Sequence, residues 1–189
     1  QQDDEIKKHQ DRVRELEIEQ NNIRDLGELR DKLRDKLATQ TKGTNDFIET
    51  QKQLNSIEKI IGDTAEEVGL QRTASIDDII AKMRKLQQAE IDLANTTESE
   101  QIRTTEVIRD NALNQLRILN EKLQALKSDY TGMGKYGLFG LSTHFGIGQT
   151  QKEINAQNAK LAEAESEIER RRKNIAERTA EIAKIGVKE

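Results

Sequence analysis

No proline interrupts the 189 residues, so nothing forbids helices of any length, and every break has to come from glycine or small polar clusters. Against that background the apolar residues recur at helical intervals. Ile6, Val13, Leu16, Ile23, Leu26, Leu29, Leu33 and Leu37 are spaced by threes, fours and sevens, as one face of a helix requires. The step from Ile23 through Leu26 to Leu29 is three plus three with Gly27 inside it, which suggests a local change of coiled-coil phase.

The first interruption falls at Thr41–Asp46, after which Phe47, Leu54, Ile57, Ile61 and Val68 recover the seven-residue rhythm. Gly62, Asp63 and Gly69 weaken the end of that segment, placing a second break over residues 62–75. Ser75 then reads as the N-cap of a new helix with Asp77 and Asp78 in its first turn. This helix is expected to run about 50 residues from Ile76, roughly 75 Å. Its stripe is Ile76, Ile79, Ile80, Met83, Leu86 and Leu93, then a polar run at Asn95–Glu100, then Ile102, Thr105, Ile108, Ala112, Leu116, Leu119, Leu123, Leu126 and Tyr130. A last helix, over residues 151–189, carries Ile154, Leu161, Ile168, Ile175 and Ile182 at strict intervals of seven. Ala164 and Ile185 half-fill its second core row, and Arg171 and Arg178 stand where the other core residues should be. The facing surface must therefore tolerate arginine stems.

Composition explains why helices rather than a thick core are expected. Hydrophobic residues make up 33% and charged residues 35% of the chain, and there are five aromatics, no tryptophan and no cysteine. With a mean hydropathy of -0.87, such a chain is suited to burying narrow stripes, and a compact α/β enzyme is not expected. The net charge of -4, with both signs interspersed, provides no global field toward nucleic acid or an anionic bilayer. The lack of cysteine excludes disulfides and thiolate metal sites, fits every redox compartment, and leaves localisation open. No run of about 18 apolar residues occurs, and the opening Gln1–Glu5 lacks signal-peptide character.

Residues 128–150 are unlike the rest. They hold six of the eleven glycines and four of the five aromatics, and no charged residue occurs between Tyr136 and Gln151. Expected as a loop at the tip of a helical hairpin, the segment offers Tyr136, Leu138, Phe139, Leu141, Phe145 and Ile147 as candidate binding residues. Three occupants fit: the loop's own bundle, capped by a hairpin or Ω-loop; a hydrophobic groove on a protein partner or another copy; or a membrane interface, into which a segment this short can dip but not span.

The remaining chemistry is weak. Gly132-Met-Gly134-Lys-Tyr-Gly137 satisfies G-x-G-x-x-G but follows a helix instead of a strand, and Tyr136 stands where a P-loop needs serine or threonine. His9 and His144 have no metal-ligand spacing around them; His144 is read as a polar tip residue. The acid pairs Asp3-Asp4, Glu66-Glu67 and Asp77-Asp78 favour helix starts or solvated faces, and Arg170-Arg171-Arg172-Lys173 is surrounded by glutamates at helical spacing. No catalytic, cofactor-binding or metal residue is assigned, and no nucleic acid or small-molecule substrate is expected.

The expected fold is all-α. It is one elongated domain, an antiparallel helical hairpin or three-helix coiled coil, with coiled-coil helices over 1–127 broken near 41–46 and 62–75, an apolar tip loop over 128–150, and a return helix over 151–189. Because each helix buries only a stripe, homo-oligomerisation is expected. The leading functional expectation is a non-enzymatic structural or adaptor protein of a secretion, phage or surface assembly whose tip meets a protein partner or its own oligomer. The alternative is a membrane-active helical toxin or translocator component whose tips enter a bilayer.

Overall fold

A computed structural model describes the backbone of residues 2–132 and 138–187, and the side chains within 2–129 and 142–185. The described residues form four α-helices and no strand: α1 (Gln2–Thr39), α2 (Asn45–Glu67), α3 (Ile76–Gly132) and α4 (Leu138–Val187). The all-α expectation holds.

Each break has a local cause. Between α1 and α2, Gly43 adopts φ 86°, and the Thr44 hydroxyl caps α2 by accepting from the Phe47 N–H at 3.3 Å. The second break is shorter than expected, because α2 continues through Gly62 and Asp63 to Glu67. It ends in a Schellman motif: Gly69, at φ 79°, donates to the Glu66 carbonyl at 2.9 Å, and Leu70 donates to the Ala65 carbonyl at 2.8 Å. Gly69→Ala should therefore destabilise the protein by about 1–2 kcal/mol, read as a lower urea midpoint at unchanged slope. At the start of α3, the Ser75 hydroxyl accepts from the Asp78 N–H at 3.1 Å, while the Asp78 carboxylate accepts from the Ser75 hydroxyl at 2.6 Å and its N–H at 3.4 Å. Serine and aspartate thus make a reciprocal capping box.

The chain forms two compact units, Gln1–Asn95 with Thr179–Glu189, and Thr96–Arg178, where the sequence alone suggests one domain. In the first, α1 packs antiparallel on α3. Gly27 meets Ile76, Gln20 bonds Gln87, and His9 bonds Glu90, so positions rise on one helix as they fall on the other. The core joins Leu16, Ile23 and Leu33 of α1, Leu54, Ile57, Ile61 and Ala65 of α2, and Ile79, Ile80 and Met83 of α3. Leu29, expected on this face, is exposed, and Gly27 is buried in its place. A Cβ at Gly27 would lie 3.2 Å from Ile76 Cγ1, so the bare glycine surface is what lets the start of α3 seat on α1. Further along α3, Leu93 is also exposed, and Ile91 and Ala94 fill the core.

In the second unit α3 and α4 form an antiparallel hairpin, with Glu98 against Arg178, Glu106 against Arg172, and Leu126 against Gly146. The α4 seam matches its heptads, Ile154, Ala164, Ile168, Arg171 and Arg178 being buried. The α3 seam departs from the expected stripe. It runs Glu98, Ile102, Thr105, Arg109, Ala112, Leu116, Leu119, Leu123 and Leu126, an unbroken alternation of fours and threes, with Gln101 also buried beside Ile102. Regular heptad spacing thus takes in Arg109 in place of Ile108, which the expected stripe reaches by two successive steps of three, and Ile108 is left 51% exposed.

Candidate functional site

The expected tip loop over 128–150 has helical backbone on either side of residues 133–137, which lie outside the described residues. Helix α3 continues to Gly132 and α4 begins at Leu138, so residues 128–132 and 138–150 have helical backbone. Packing overrides propensity here. Ile147 joins the cluster of Leu116, Leu119, Leu123 and Ile154, and Leu126 lies 3.7 Å from the position of a Cβ on Gly146, so the seam carries the helix through its glycines.

The six candidate binding residues divide accordingly. Phe145 is 73% exposed, the most exposed large hydrophobic side chain among the described residues. Ile147, two positions on, is half-buried in the seam. Leu138, Phe139 and Leu141 lie on the backbone of the first turns of α4, with side chains outside the described residues; Tyr136 lies outside them altogether, as does most of the G-x-G-x-x-G stretch. His144 is exposed beside Phe145. Gly148 has open space where a Cβ would stand and an ordinary helical φ, so Gly148→Ala should stabilise the protein by about 0.5–1 kcal/mol, seen as a raised melting temperature.

A second feature is a buried ionic layer. Glu98 is 2% exposed in the middle of the polar run on α3. Its Oε1 accepts from Asn174 Nδ2 at 3.0 Å and lies 3.6 Å from Arg171 Nη1; its Oε2 accepts from Arg178 Nη2. Arg171 and Arg178 are each 8% exposed at the side chain, and Glu167 Oε1 lies 2.7 Å from Arg171 Nε. Sequence reasoning found both arginines but missed their acid. The signal was present: in an antiparallel hairpin, the polar run Asn95–Glu100 falls opposite the two arginines that replace core residues on α4.

The rest of the basic cluster is also paired. Arg170 donates to both oxygens of Glu167 at 2.7 and 2.9 Å, Arg172 lies 3.0 Å from Glu106, and Lys173 lies 3.9 Å from Glu177. Arg170, and then Arg171, hold the Glu167 carboxyl below the ordinary glutamate range, against partial burial. A lowered folded pKa means that this stabilisation is complete above the unfolded pKa and is lost as pH falls through the folded one. Acidification below roughly pH 4 should therefore destabilise the native protein more than Glu167→Gln, by less than about 1 kcal/mol because the pair is partly solvated; melting temperatures across that range check it.

The first unit has a shallow charged cleft lined by Asp4, Lys7, Lys8, His9, Asp11, Arg12, Glu15 and Glu90. His9 Nδ1 lies 2.5 Å from Glu90 Oε2, which ties α1 to α3. Among the described residues no group of three His, Cys, Asp or Glu could hold a metal ion, and no helix is long and apolar enough to cross a membrane. Comparison of the chain with protein-family models, curated proteins and solved structures finds no match.

Proposed function

We propose that the protein is a non-enzymatic structural or adaptor protein in which the α3–α4 hairpin holds out an apolar connection to a protein partner or to another copy. The observation that carries this reading is Phe145, 73% exposed where α4 enters an uncharged stretch, while Ile147 beside it is anchored in the seam. An exposed phenylalanine on a helix anchored two residues away is positioned for contact with little left to order on binding. From Thr96 to Gly132 the α3 arm of the hairpin rises about 55 Å, so it sets a distance as well as a surface. The setting is proposed to be a secretion, phage or surface assembly, and a homo-oligomer is part of the reading.

The membrane reading rests on the same Phe145, which suits an interface, and it takes the form of a toxin or translocator oligomer dipping several hairpin ends into a bilayer. The two readings separate in one experiment. A photocrosslinker replacing Phe145 is expected to yield a protein adduct of defined mass in the cells that make the protein, and the purified chain is expected not to float with liposomes. Flotation that is lost in Phe139→Asp with Phe145→Asp, together with lipid adducts, would transfer the function to membranes. Neither adduct nor flotation would remove both readings.

A further inference from the structure

Helix α3 has a second face, opposite the seam that meets α4. Glu100, Thr104, Val107, Asn111, Asn114, Ile118, Glu121 and Ala125 follow one another in alternating steps of four and three, and all eight are exposed. This is a heptad repeat with nothing on it. Val107 is 60% and Ile118 43% exposed, and from Thr104 to Ile118 five successive positions carry no charge, in a chain of which 35% is charged. A merely solvated face would be expected to carry charge at such positions.

We infer that a second copy of this chain docks on this face, its α3 running antiparallel. The charges beside the stripe choose both the partner and the direction. Arg103, Asp110 and Arg117 line one flank at intervals of seven. In an antiparallel pair centred between Ala112 and Leu113, flanks of the same kind face each other, so Asp110 of each copy meets Arg117 of the other, twice by symmetry. The same register sets Val107 against Ile118 and Asn111 against Asn114, so apolar residues meet apolar ones and amides meet amides. A parallel pair would instead bring Arg117 toward Lys122 of the second copy, a like-charge contact. Within one copy Arg117 bonds Glu121 at 2.9 Å and Arg109 bonds Asp110 at 2.8 Å, exposed contacts that docking can extend into a network. The face is separate from the α3–α4 connection, so this inference does not rest on the function proposed for Phe145.

Sedimentation equilibrium of the full chain from about 1 to 500 μM should show a monomer–dimer equilibrium. Val107→Glu with Ile118→Glu should raise the dimer dissociation constant at least about a hundredfold, and Val107→Ser with Ile118→Ser should weaken the dimer without adding charge. Asp110→Arg alone should weaken association, and Asp110→Arg with Arg117→Asp should restore it. The absence of cysteine allows a test of direction. Oxidation of a mixture of Val107→Cys and Ile118→Cys chains should give mixed disulfide dimers, whereas each variant alone should give few, because like positions are about 16 Å apart. Circular dichroism checks that helix content is unchanged in each variant. A chain that stays monomeric, a dimer indifferent to Val107→Glu with Ile118→Glu, or efficient self-linking of either cysteine variant would overturn the inference. Association that survives those changes but is lost in Phe145→Asp would place self-contact at the hairpin connection instead.

Discussion

Replacing Glu98 by alanine should cost about 3–5 kcal/mol of stability, the largest loss expected from any single polar substitution in the second unit. The cost does not arise because the ion pairs are strong in net terms. Glu98 is 2% exposed and serves Asn174, Arg171 and Arg178 at once, so its removal leaves two guanidinium groups, each 8% exposed, without the carboxylate between them. Taking each charge out of water has already cost several kcal/mol, and only the opposite charge offsets it. Glu98→Gln keeps the shape and an acceptor but loses the charge, so it should fall between alanine and the native residue. Replacing the whole set with Glu98→Leu, Arg171→Leu and Arg178→Leu should be close to neutral or stabilising by about 1–4 kcal/mol, since the desolvation cost then disappears with the attraction. Urea unfolding of the single, double and triple variants measures these as a cycle. Single losses below about 1 kcal/mol, simply adding in the triple variant, would show that the layer is solvated and uncoupled in solution.

The same layer shows what the sequence made legible and what it did not. Heptad spacing located the seam of α4 residue by residue, including the positions of Arg171 and Arg178, because a single helix face depends only on local periodicity. The acid that neutralises them lies about 75 residues away, and finding it requires the register of the hairpin. Ile108 and Leu29 were misplaced for a related reason. The expected stripes reach each of them by two successive steps of three, favouring a large apolar residue over the Arg109 and Gly27 that heptad spacing selects. Only the facing helix, with Ile76 seated on Gly27, shows which residue turns inward. The connection between α3 and α4 was read as a long loop from its glycines. Propensity argues for that, at about 1 kcal/mol per glycine, but Ile147 and Leu126 carry the seam past them. Of the candidate binding residues, Phe145 and Ile147 had the same standing in the sequence, and only packing against Leu119 and Leu123 separates the exposed one from the anchored one.

Leu16→Ala should cost about 3–5 kcal/mol, near the top of the range for a buried leucine. Leu16 is 1% exposed in the first unit, in one cluster with side chains from all three helices, Ile61, Ile79 and Met83 among them. A fully buried side chain in a core drawn from three helices has little freedom around it to collapse onto the space it vacates, so most of the cavity term persists. Leu119→Ala in the second unit is the matched control. Leu119 is 9% exposed in a seam made by two helices only, where water and neighbouring stems can enter, and its truncation should cost about 2 kcal/mol, near the bottom of the same range. Chemical denaturation with probes in each unit measures both, and separate transitions would be analysed unit by unit. The comparison also bears on self-association. A second copy on the outer face of α3 leaves Leu119 uncovered, so the Leu119→Ala cost should not change between dilute and concentrated protein once the shared dimerisation contribution is subtracted. A Leu119→Ala cost that rises with concentration toward that of Leu16→Ala would mean that the open side of the seam is what another copy covers. The uncharged stripe from Thr104 to Ile118 would then be a solvated face after all.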